Sequence, residues 1–225
     1  GTIVIYSQLN YLQNMKLGYD KEQTLVLFTK YDQLEDNIES LKNSLLKNPS
    51  ITAVSSVSQI PSDINTAEGV NLPDDKRIEA FYISTDNDVF KTLNMNILEG
   101  NERIKELKIN YKQDIKTLNN MFVVNESFLR KMGVTEKEAI NQKIRIRHGN
   151  MQPGSIIGVV KDFHYQSLHN PIGALVFEFD PNSYQHMLVK FNTSNVKDVL
   201  EFVRDTWGEY TGDLPFEYQF LDDNY

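Results

Sequence analysis

The most informative stretch of the chain reads Ile156-Ile-Gly-Val-Val-Lys-Asp-Phe-His-Tyr-Gln-Ser-Leu-His-Asn-Pro-Ile172. It opens with the apolar run Ile156–Val160, which contains one glycine and predicts a buried strand. A polar and aromatic segment follows, and Pro171 disfavours helix at the residue before it. The stretch therefore predicts a buried strand that leads into a non-helical segment.

Composition limits the class of protein. The 225 residues are 40% apolar and 11% aromatic, which is typical of a folded protein with a large core in one domain or two lobes. The net charge of −8 argues against a nucleic-acid partner. The densest basic patch, Lys143, Arg145 and Arg147, has the alternation of a solvated strand face. The absence of cysteine excludes a disulfide framework and thiol catalysis, and it fits cytosol and periplasm equally.

The first residues predict a helix. An apolar stretch, Thr2–Tyr6, continues into Leu9, Leu12 and Met15 at helical spacing. The stretch Thr2–Tyr6 is too short for a signal peptide and lacks the basic residues that precede one. The sequence contains no run of about 18 apolar residues, the length that would predict a membrane span. We interpret residues 1–17 as a helical extension from a preceding transmembrane helix. An ordinary N-terminal helix is the alternative.

The next residues predict a β-α-β unit. Gln23–Thr29 and Ile51–Ser58 have the composition of strands. Between them, Asp32 and Glu35 have the spacing of a capping box, and leucines at helical spacing run to Pro49. These features give one β-α-β unit of the usual length.

The middle of the chain differs from the preceding part in composition and in its pattern of apolar residues. Residues 61–75 are rich in Pro, Asp, Asn and Gly and predict a loop, whereas Glu79–Ser84 predicts a strand and Asp86–Leu93 a short helix. Residues 101–120 are highly charged and predict an exposed insertion with a helical part around Ile104–Asn110.

Helix boundaries are clearest after residue 120. Following a strand at Met121–Val124, Asn125 is placed to cap a helix that ends at Gly133. Thr135 and Glu138 repeat the capping-box spacing, and Lys143–Arg147 alternates as a half-exposed strand does.

The last part predicts a second β-α-β unit. Its strands are Ala174–Phe179, Met187–Phe191 and Phe216–Phe220, and Thr193–Asn195 can cap the helix between the last two. Two such units around a different middle part predict an α+β protein with two lobes, the first of which is split by an insertion.

Four separated blocks resemble the extracytoplasmic domain of MacB/FtsX-type ABC transporter permeases, in the variety abundant in Bacteroides-like bacteria. The blocks are residues 10–27, Phe122–Phe128, Ile156–Ile172 and Pro215–Asp222, in the expected order along almost the whole chain. The resemblance implies a porter-like lobe of two β-α-β units, residues 18–74 and 170–225, and an inserted mixed α/β sabre-like lobe, residues 75–169. Two departures from the family pattern are Asn141 in place of a glycine and the charged insertion at 101–120.

The resemblance also implies a function. Such a domain is non-catalytic, lies in the periplasm as part of an inner-membrane protein, and couples cytoplasmic ATP hydrolysis to conformational change outside the membrane. Its implied partners are a cassette ATPase subunit, a second copy of the permease or a paired permease domain, and a periplasmic accessory protein. It implies no cofactor and no catalytic or metal-binding residue.

Two other functions are weighed on residues alone. Asp162, His164 and His169 form the one acid–imidazole cluster in the sequence. A metal-dependent hydrolase needs three or four ligands that converge in space. Asp162 and His164 could share one face of an extended chain, but a third ligand beside them is not evident. A surface position or a structural hydrogen-bonded pair is therefore predicted for them. The pairs Asp74/Asp75 and Asp222/Asp223 are predicted to be solvated carboxylates in loop or terminal positions. The second alternative is a ligand-binding or sensor module that holds a peptide, glycan or lipid between the lobes. The tyrosines Tyr165, Tyr184 and Tyr210 could line a carbohydrate or peptide groove, but half-buried positions are the preferred interpretation, because tyrosine suits both the core and water.

Overall fold

Two β-sheets organise the residues that the computed structural model describes, which are 2–109, 111–112, 120–148 and 151–222. The helices in these ranges are α1 (Thr2–Leu17), α2 (Ile38–Leu45), α3 (Val89–Thr92), α4 (Asn101–Glu106), α5 (Glu126–Met132), α6 (Glu136–Ala139) and α7 (Val196–Thr211). The strands are β1 (Thr24–Phe28), β2 (Ile51–Val57), β3 (Ala67–Asn71), β4 (Arg77–Ser84), β5 (Ile97–Glu99), β6 (Met121–Asn125), β7 (Lys143–Ile146), β8 (Gly154–Val160), β9 (Leu175–Glu178), β10 (His186–Phe191) and β11 (Tyr218–Phe220).

The four-stranded sheet contains the two predicted β-α-β units. Its strand order is β11-β1-β10-β2, and every neighbouring pair is antiparallel. The parallel strands β1 and β2 are joined through α2 and enclose β10, while β10 and β11 are joined through α7 and enclose β1. The two units therefore interleave as split β-α-β units. Leucines and valines of the sheet, α2 and α7 form their common core, together with Trp207.

The seven-stranded sheet forms the second lobe. Its order is β5-β8-β6-β9-β4-β3-β7, and an extra pairing of β7 with β8 closes six of the strands into a ring. Strand β8, which contains the apolar run Ile156–Val160, is buried along almost its whole length, as the sequence predicts. Its glycine has a packing reason, because a Cβ on Gly158 would lie 2.6 Å from the Cδ1 atom of Ile104 on α4.

Two strands extend the second sheet beyond the predicted lobe boundaries of 75 and 169. Strand β3 lies in the predicted loop 61–75 and pairs with β4 and β7, whereas β9 follows residue 170 and pairs with β4 and β6. Strand β3 cannot be recognised from its sequence, because it is half-exposed and contains Gly69 and Asn71 instead of an alternating apolar pattern.

Three local predictions need correction. The capping box at Asp32 does not form. Asp32–Leu34 is a 3₁₀ turn that places Leu34 in the core, and α2 begins only at Ile38. Strand β5 was missed, since three residues are too few to show a period. Helix α4 begins at Asn101 instead of Ile104, and much of the rest of the predicted insertion, residues 110 and 113–119, lies outside the described residues.

Other local predictions are confirmed. The side chain of Asn125 accepts a hydrogen bond from Phe128 N at the start of α5, which ends at Gly133 in the left-handed conformation. Thr135 and Glu138 form a complete capping box. Asn141 has a φ of 69°, the left-handed conformation for which asparagine is the next-best residue after glycine.

The two lobes share a hydrophobic core. One buried cluster combines Val26 and Leu188 from the first sheet with Ile83, Phe177 and Phe163 from the second lobe. The lobes are thus packed against each other through apolar side chains. On α1, five large apolar side chains are more than half exposed, whereas Leu17 at the end of the helix is buried in the shared core; the exposed ones are Ile5, Leu9, Tyr11, Leu12 and Met15. No described helix is both long and apolar enough to cross a membrane.

Candidate functional site

The described chain enters and leaves the first sheet at the same end. Strands β1 and β11 are antiparallel neighbours, so the start of β1 lies beside the end of β11. Leu221 N donates to Thr24 O at 2.9 Å. Helix α1 precedes β1 and ends at this place. We use the name base junction for Leu17–Asp20, Lys161–His164 and Leu221.

Backbone groups hold the end of α1 at the base junction. His164 N donates to Leu17 O, and Asp20 N donates to Leu93 O, both at 2.7 Å. Gly18 lies between them with a φ of +80°, and a Cβ there would lie 2.7 Å from Asp162 O. Glycine is therefore required on two grounds, the left-handed backbone and the close approach of a second chain segment.

Side chains connect the same segment to both lobes. The Tyr19 ring meets the edge of the Phe163 ring at a centroid distance of 5.7 Å, and both belong to the shared core. The Asp20 carboxylate accepts hydrogen bonds from Lys190 Nζ on β10 at 2.8 Å and from Asn14 Nδ2 on α1 at 3.1 Å. A displacement of α1 would thus act on the first sheet through Lys190 and on the second lobe through Phe163.

Asp162, the acid of the predicted acid–imidazole cluster, has a structural partner. Its carboxylate accepts hydrogen bonds from Ser127 N at 2.9 Å, Ser127 Oγ at 2.7 Å and Arg130 Nη2 at 2.7 Å. Its own backbone N–H donates to Glu126 Oε1 at 2.8 Å. Negative charge at the start of a helix is favourable, so Asp162 fastens α5 to the end of β8.

The two histidines of that cluster do not join Asp162 in a common site. The backbone N–H of His164 holds α1, and its Nδ1 atom is buried without a hydrogen-bond partner in the described structure. His169 is exposed, and its N–H donates to Ser167 Oγ at 3.2 Å. Within the described ranges no three metal-ligating side chains converge. The hydrolase hypothesis therefore has no assembled site among these residues.

A second charged group joins the lobes, and sequence reasoning missed it. Lys42 on α2 donates to Asp86 Oδ2 at 3.0 Å and also to Asp88, both of which lie between β4 and α3. Asp86 further accepts from Ser55 Oγ at 2.7 Å and from Ser56 N at 2.9 Å. We call these five residues the Lys42 cluster. The available signal was a lysine within the apolar side of α2, because a cation at such a position requires a buried anion.

Burial and charge act in opposite directions in the Lys42 cluster. Burial lowers the pKa of Lys42, but the carboxylates of Asp86 and Asp88 outweigh it and hold that pKa above its ordinary value. Burial raises the pKa of Asp86, and Lys42 and the hydroxyl and amide donors oppose this rise. Lys42 therefore stays charged, and the pair is stable only while both members are present.

His148, which follows β7, forms a further contact on the second sheet. Its ring stacks on Tyr82 at a centroid distance of 4.1 Å, and its Nε2 atom lies 3.0 Å from Glu178 Oε2. Ser84 Oγ donates to the other oxygen of Glu178 at 3.1 Å. Burial lowers the pKa of His148, but the carboxylates of Glu178, Glu68 and Asp180 together outweigh this effect, so that the pKa lies above its ordinary value.

The three tyrosines proposed to line a groove lie in separate environments. Tyr165 is buried beside Phe81 and Phe163, and Tyr210 OH donates to Ser40 O at 3.1 Å next to α2. Tyr184 is buried and lines a small cavity that the other two tyrosines do not reach. These three side chains therefore do not line a common groove.

The predicted carboxylate pairs differ from each other. Asp74 is exposed in the turn between β3 and β4 and accepts a hydrogen bond from Lys76 N, as expected for a solvated turn residue. Asp222 is buried, contrary to the prediction, because it follows Leu221, which packs into the shared core. Asp223 lies outside the described residues.

The fold has known counterparts. The chain matches no family model, and it matches no curated protein. Among solved structures, it is similar to the periplasmic region of MacB from Actinobacillus actinomycetemcomitans, with a TM-score of 0.56 and 14% identity over 93% of this chain and 92% of that one.

Two further solved structures have the same fold. The extracellular domain of the noncanonic ABC-type transporter YknZ from Gram-positive bacteria matches with a TM-score of 0.54 and 12% identity, over 88% of this chain and 100% of that one. A domain of a protein described as a permease, from Porphyromonas gingivalis, matches with a TM-score of 0.56 and 12% identity, over 90% and 93%. The predicted MacB-like two-lobe α+β fold is confirmed, while the Bacteroides-like variety stays a prediction.

Proposed function

We propose that the chain is a non-catalytic extracytoplasmic domain of an ABC transporter permease, which lies in the periplasm and transmits movements driven by a cytoplasmic ATPase. One observation carries the proposal. The segment that enters the first sheet and the one that leaves it are hydrogen-bonded neighbours at the base junction, and this junction contacts both lobes. A force applied at one place would therefore reach the whole body. The MacB-like fold supports the same role.

The contacts suit the transmission of movement. Backbone hydrogen bonds and a glycine without room for a side chain leave little freedom between α1 and residues 161–164. Packed interiors resist compression and transmit strain. Because the lobes share one core, we propose that they move as one body and that the change occurs between this domain and its neighbour.

The proposed partners follow from this role. The cassette ATPase acts through membrane and cytoplasmic parts of the permease, and the neighbour is a second copy or a paired permease domain. An accessory protein in the periplasm would receive the movement.

The proposal is tested in the full-length permease, reconstituted with its ATPase. This domain contains no cysteine, so a single cysteine at exposed Glu201 on α7 provides one spin-label position in each copy once any cysteine in the rest of the permease is replaced. We expect the distance between labels on neighbouring copies to change when ATP is added. An ATPase variant that binds ATP without hydrolysing it separates binding from turnover. An unchanged distance through the whole cycle would contradict the mechanical role.

A further inference from the structure

A cavity of about 200 Å³ lies on the first lobe beside α2. One half of its lining is aromatic or apolar, namely Tyr31, Ile38, Tyr111, Pro181 and Tyr184, and the other half is polar or charged, namely Thr29, Lys30, Asp32, Glu35 and Asn182. Ligand pockets for drug-sized molecules measure roughly 300–1,000 Å³. This cavity therefore suits a group of the size of one side chain.

Tyr184 has an unusual position in this wall. Only 8% of the residue is exposed, and its hydroxyl is buried without a hydrogen-bond partner in the part of the chain that the structure describes. A buried hydroxyl that makes no hydrogen bond is unfavourable, and such groups are rare in folded proteins. A polar atom of a bound molecule would satisfy it.

The charges around the hydroxyl are negative. Burial raises the pKa of Tyr184 well above its ordinary value, and Asp86 and Asp180 raise it further. Burial and Asp86 also raise the pKa of Tyr111 to about 12, although the charge of Lys42 opposes this rise. Both hydroxyls are thus neutral, in surroundings that disfavour another anion.

Carboxylates also line the opening. Asp32 and Glu35 belong to the lining, and neither has an ion-pair partner among the described residues. An adjoining cleft shares Glu35 and Tyr111 and adds Asp36 and Glu39. The two cavities together are lined by four carboxylates and two lysines, Lys30 and Lys112.

We propose that this cavity binds an organic cation, an alkylammonium or guanidinium group that donates a hydrogen bond to the Tyr184 hydroxyl. Tyrosine rings attract cations through their faces, and the carboxylates at the opening add to the attraction. The same chemistry is supplied by a small free amine and by a lysine or arginine side chain of a peptide. The site goes beyond the proposed mechanical role and is independent of it.

The test is an NMR titration of the full chain with three probes. They are n-butylammonium, the peptide acetyl-Gly-Lys-Gly-amide, and the same peptide with norleucine in place of lysine. We expect the lysine peptide to shift resonances of Tyr184 and its neighbours in a saturable way, and the norleucine peptide to leave them unchanged. Binding of butylammonium with equal affinity assigns the site to free amines, whereas binding of the lysine peptide alone assigns it to peptides.

Variants separate the contribution of the Tyr184 hydroxyl to cation binding from the contribution of the negative charges. Tyr184→Phe keeps the ring and should weaken cation binding about 2- to 10-fold, the equivalent of one hydrogen bond. The same variant should not lower the melting temperature, since the hydroxyl has no structural partner to lose. Glu35→Gln should weaken binding about 2- to 5-fold, and Glu201→Gln, an exposed carboxylate on α7, should not change it.

Three results would overturn the inference. They are the absence of saturable shifts with both cationic probes, equal binding of the norleucine peptide, and unchanged affinity in Tyr184→Phe.

Discussion

The base junction and the Lys42 cluster both attach a helix of the first part of the fold to the second lobe, but by different means. At the base junction, backbone hydrogen bonds such as His164 N to Leu17 O and the packed rings of Tyr19 and Phe163 hold α1. In the Lys42 cluster, an ammonium group is held by carboxylates in a buried position. The junction thus depends on geometry, and the cluster depends on the balance of charge.

This difference assigns them different roles. A junction of backbone bonds keeps its shape when side-chain charges change, which suits the transmission of movement from α1. A buried ion pair contributes little net free energy when intact, but it strongly disfavours the loss of either partner. We infer that the Lys42 cluster fixes how α2 sits against the second lobe.

The largest effect is expected for Lys42→Met. The variant leaves Asp86 buried without its cation, which should lower the free energy of unfolding by about 3–5 kcal/mol. Denaturant unfolding measures the loss. Asp88→Asn is the matched control, because Asp88 is 44% exposed and its removal leaves the buried pair intact. Equal losses in the two variants would contradict the assignment of the charge balance to Asp86.

A smaller loss is expected for Gly18→Ala at the base junction. The left-handed backbone alone costs roughly 1–2 kcal/mol with a side chain, and the contact of the new Cβ with Asp162 O adds to it. Gly133→Ala is the control, since Gly133 has a φ of +74° and open space around its missing Cβ. Unfolding measurements should therefore show a greater loss for Gly18 than for Gly133. Equal losses would show that the close approach contributes nothing.

A still smaller, pH-dependent effect is expected for His148→Gln. Glu178 holds the pKa of His148 above 6.5, so its stabilising contribution is complete below that pH and is lost as the pH rises through the folded-state pKa. Unfolding at about pH 5.5 and about pH 8.5 should show that the variant loses more stability at the lower pH.

His186→Gln is the control for that experiment and should have the opposite sign. Burial lowers the pKa of His186 in the folded state below 6.5, so the imidazole takes up a proton more readily in the unfolded state. His186 therefore reduces stability as the pH falls below 6.5. The variant should therefore gain stability relative to the wild type at the lower pH. The same sign in both variants would contradict the ion pair with Glu178.

The smallest effect is expected on the surface of α7. Lys197 and Glu201 lie 4.0 Å apart and are largely exposed, so Lys197→Ala should change the free energy of unfolding by less than about 0.5 kcal/mol. A loss of stability as large as that of Lys42→Met would contradict the claim that burial makes the Lys42–Asp86 pair more important for stability than the exposed Lys197–Glu201 pair.

Local sequence signals predicted much of the fold. The apolar run at Ile156–Val160 and the caps at Asn125 and Thr135 act over a few residues, so they can be recognised in the sequence and are present in the structure. Strand β3 pairs along its whole length with the neighbouring strand β4, but its half-exposed residues show no alternating apolar pattern, so the sequence does not reveal it.

The candidate sites were harder to predict because their contacts join residues that are distant in sequence. Asp162 was singled out for its neighbours in sequence, but its partners are Ser127 and Arg130, which are more than 30 positions away. Lys42 and Asp86 are also distant in sequence, and neither belongs to a motif. Contacts of this kind follow from the tertiary fold and not from local spacing.

The most direct test of the mechanical role is the insertion of a Gly-Ser-Gly linker after Leu17 in the full-length permease with its ATPase. The same linker between Asp74 and Asp75, in the exposed turn between β3 and β4, is the control. We predict that the insertion at the base junction leaves ATP hydrolysis in place and abolishes the ATP-dependent change in distance between labels at residue 201. The control insertion should preserve both. An unchanged distance response after the junction insertion would contradict the claim that the base junction transmits the movement.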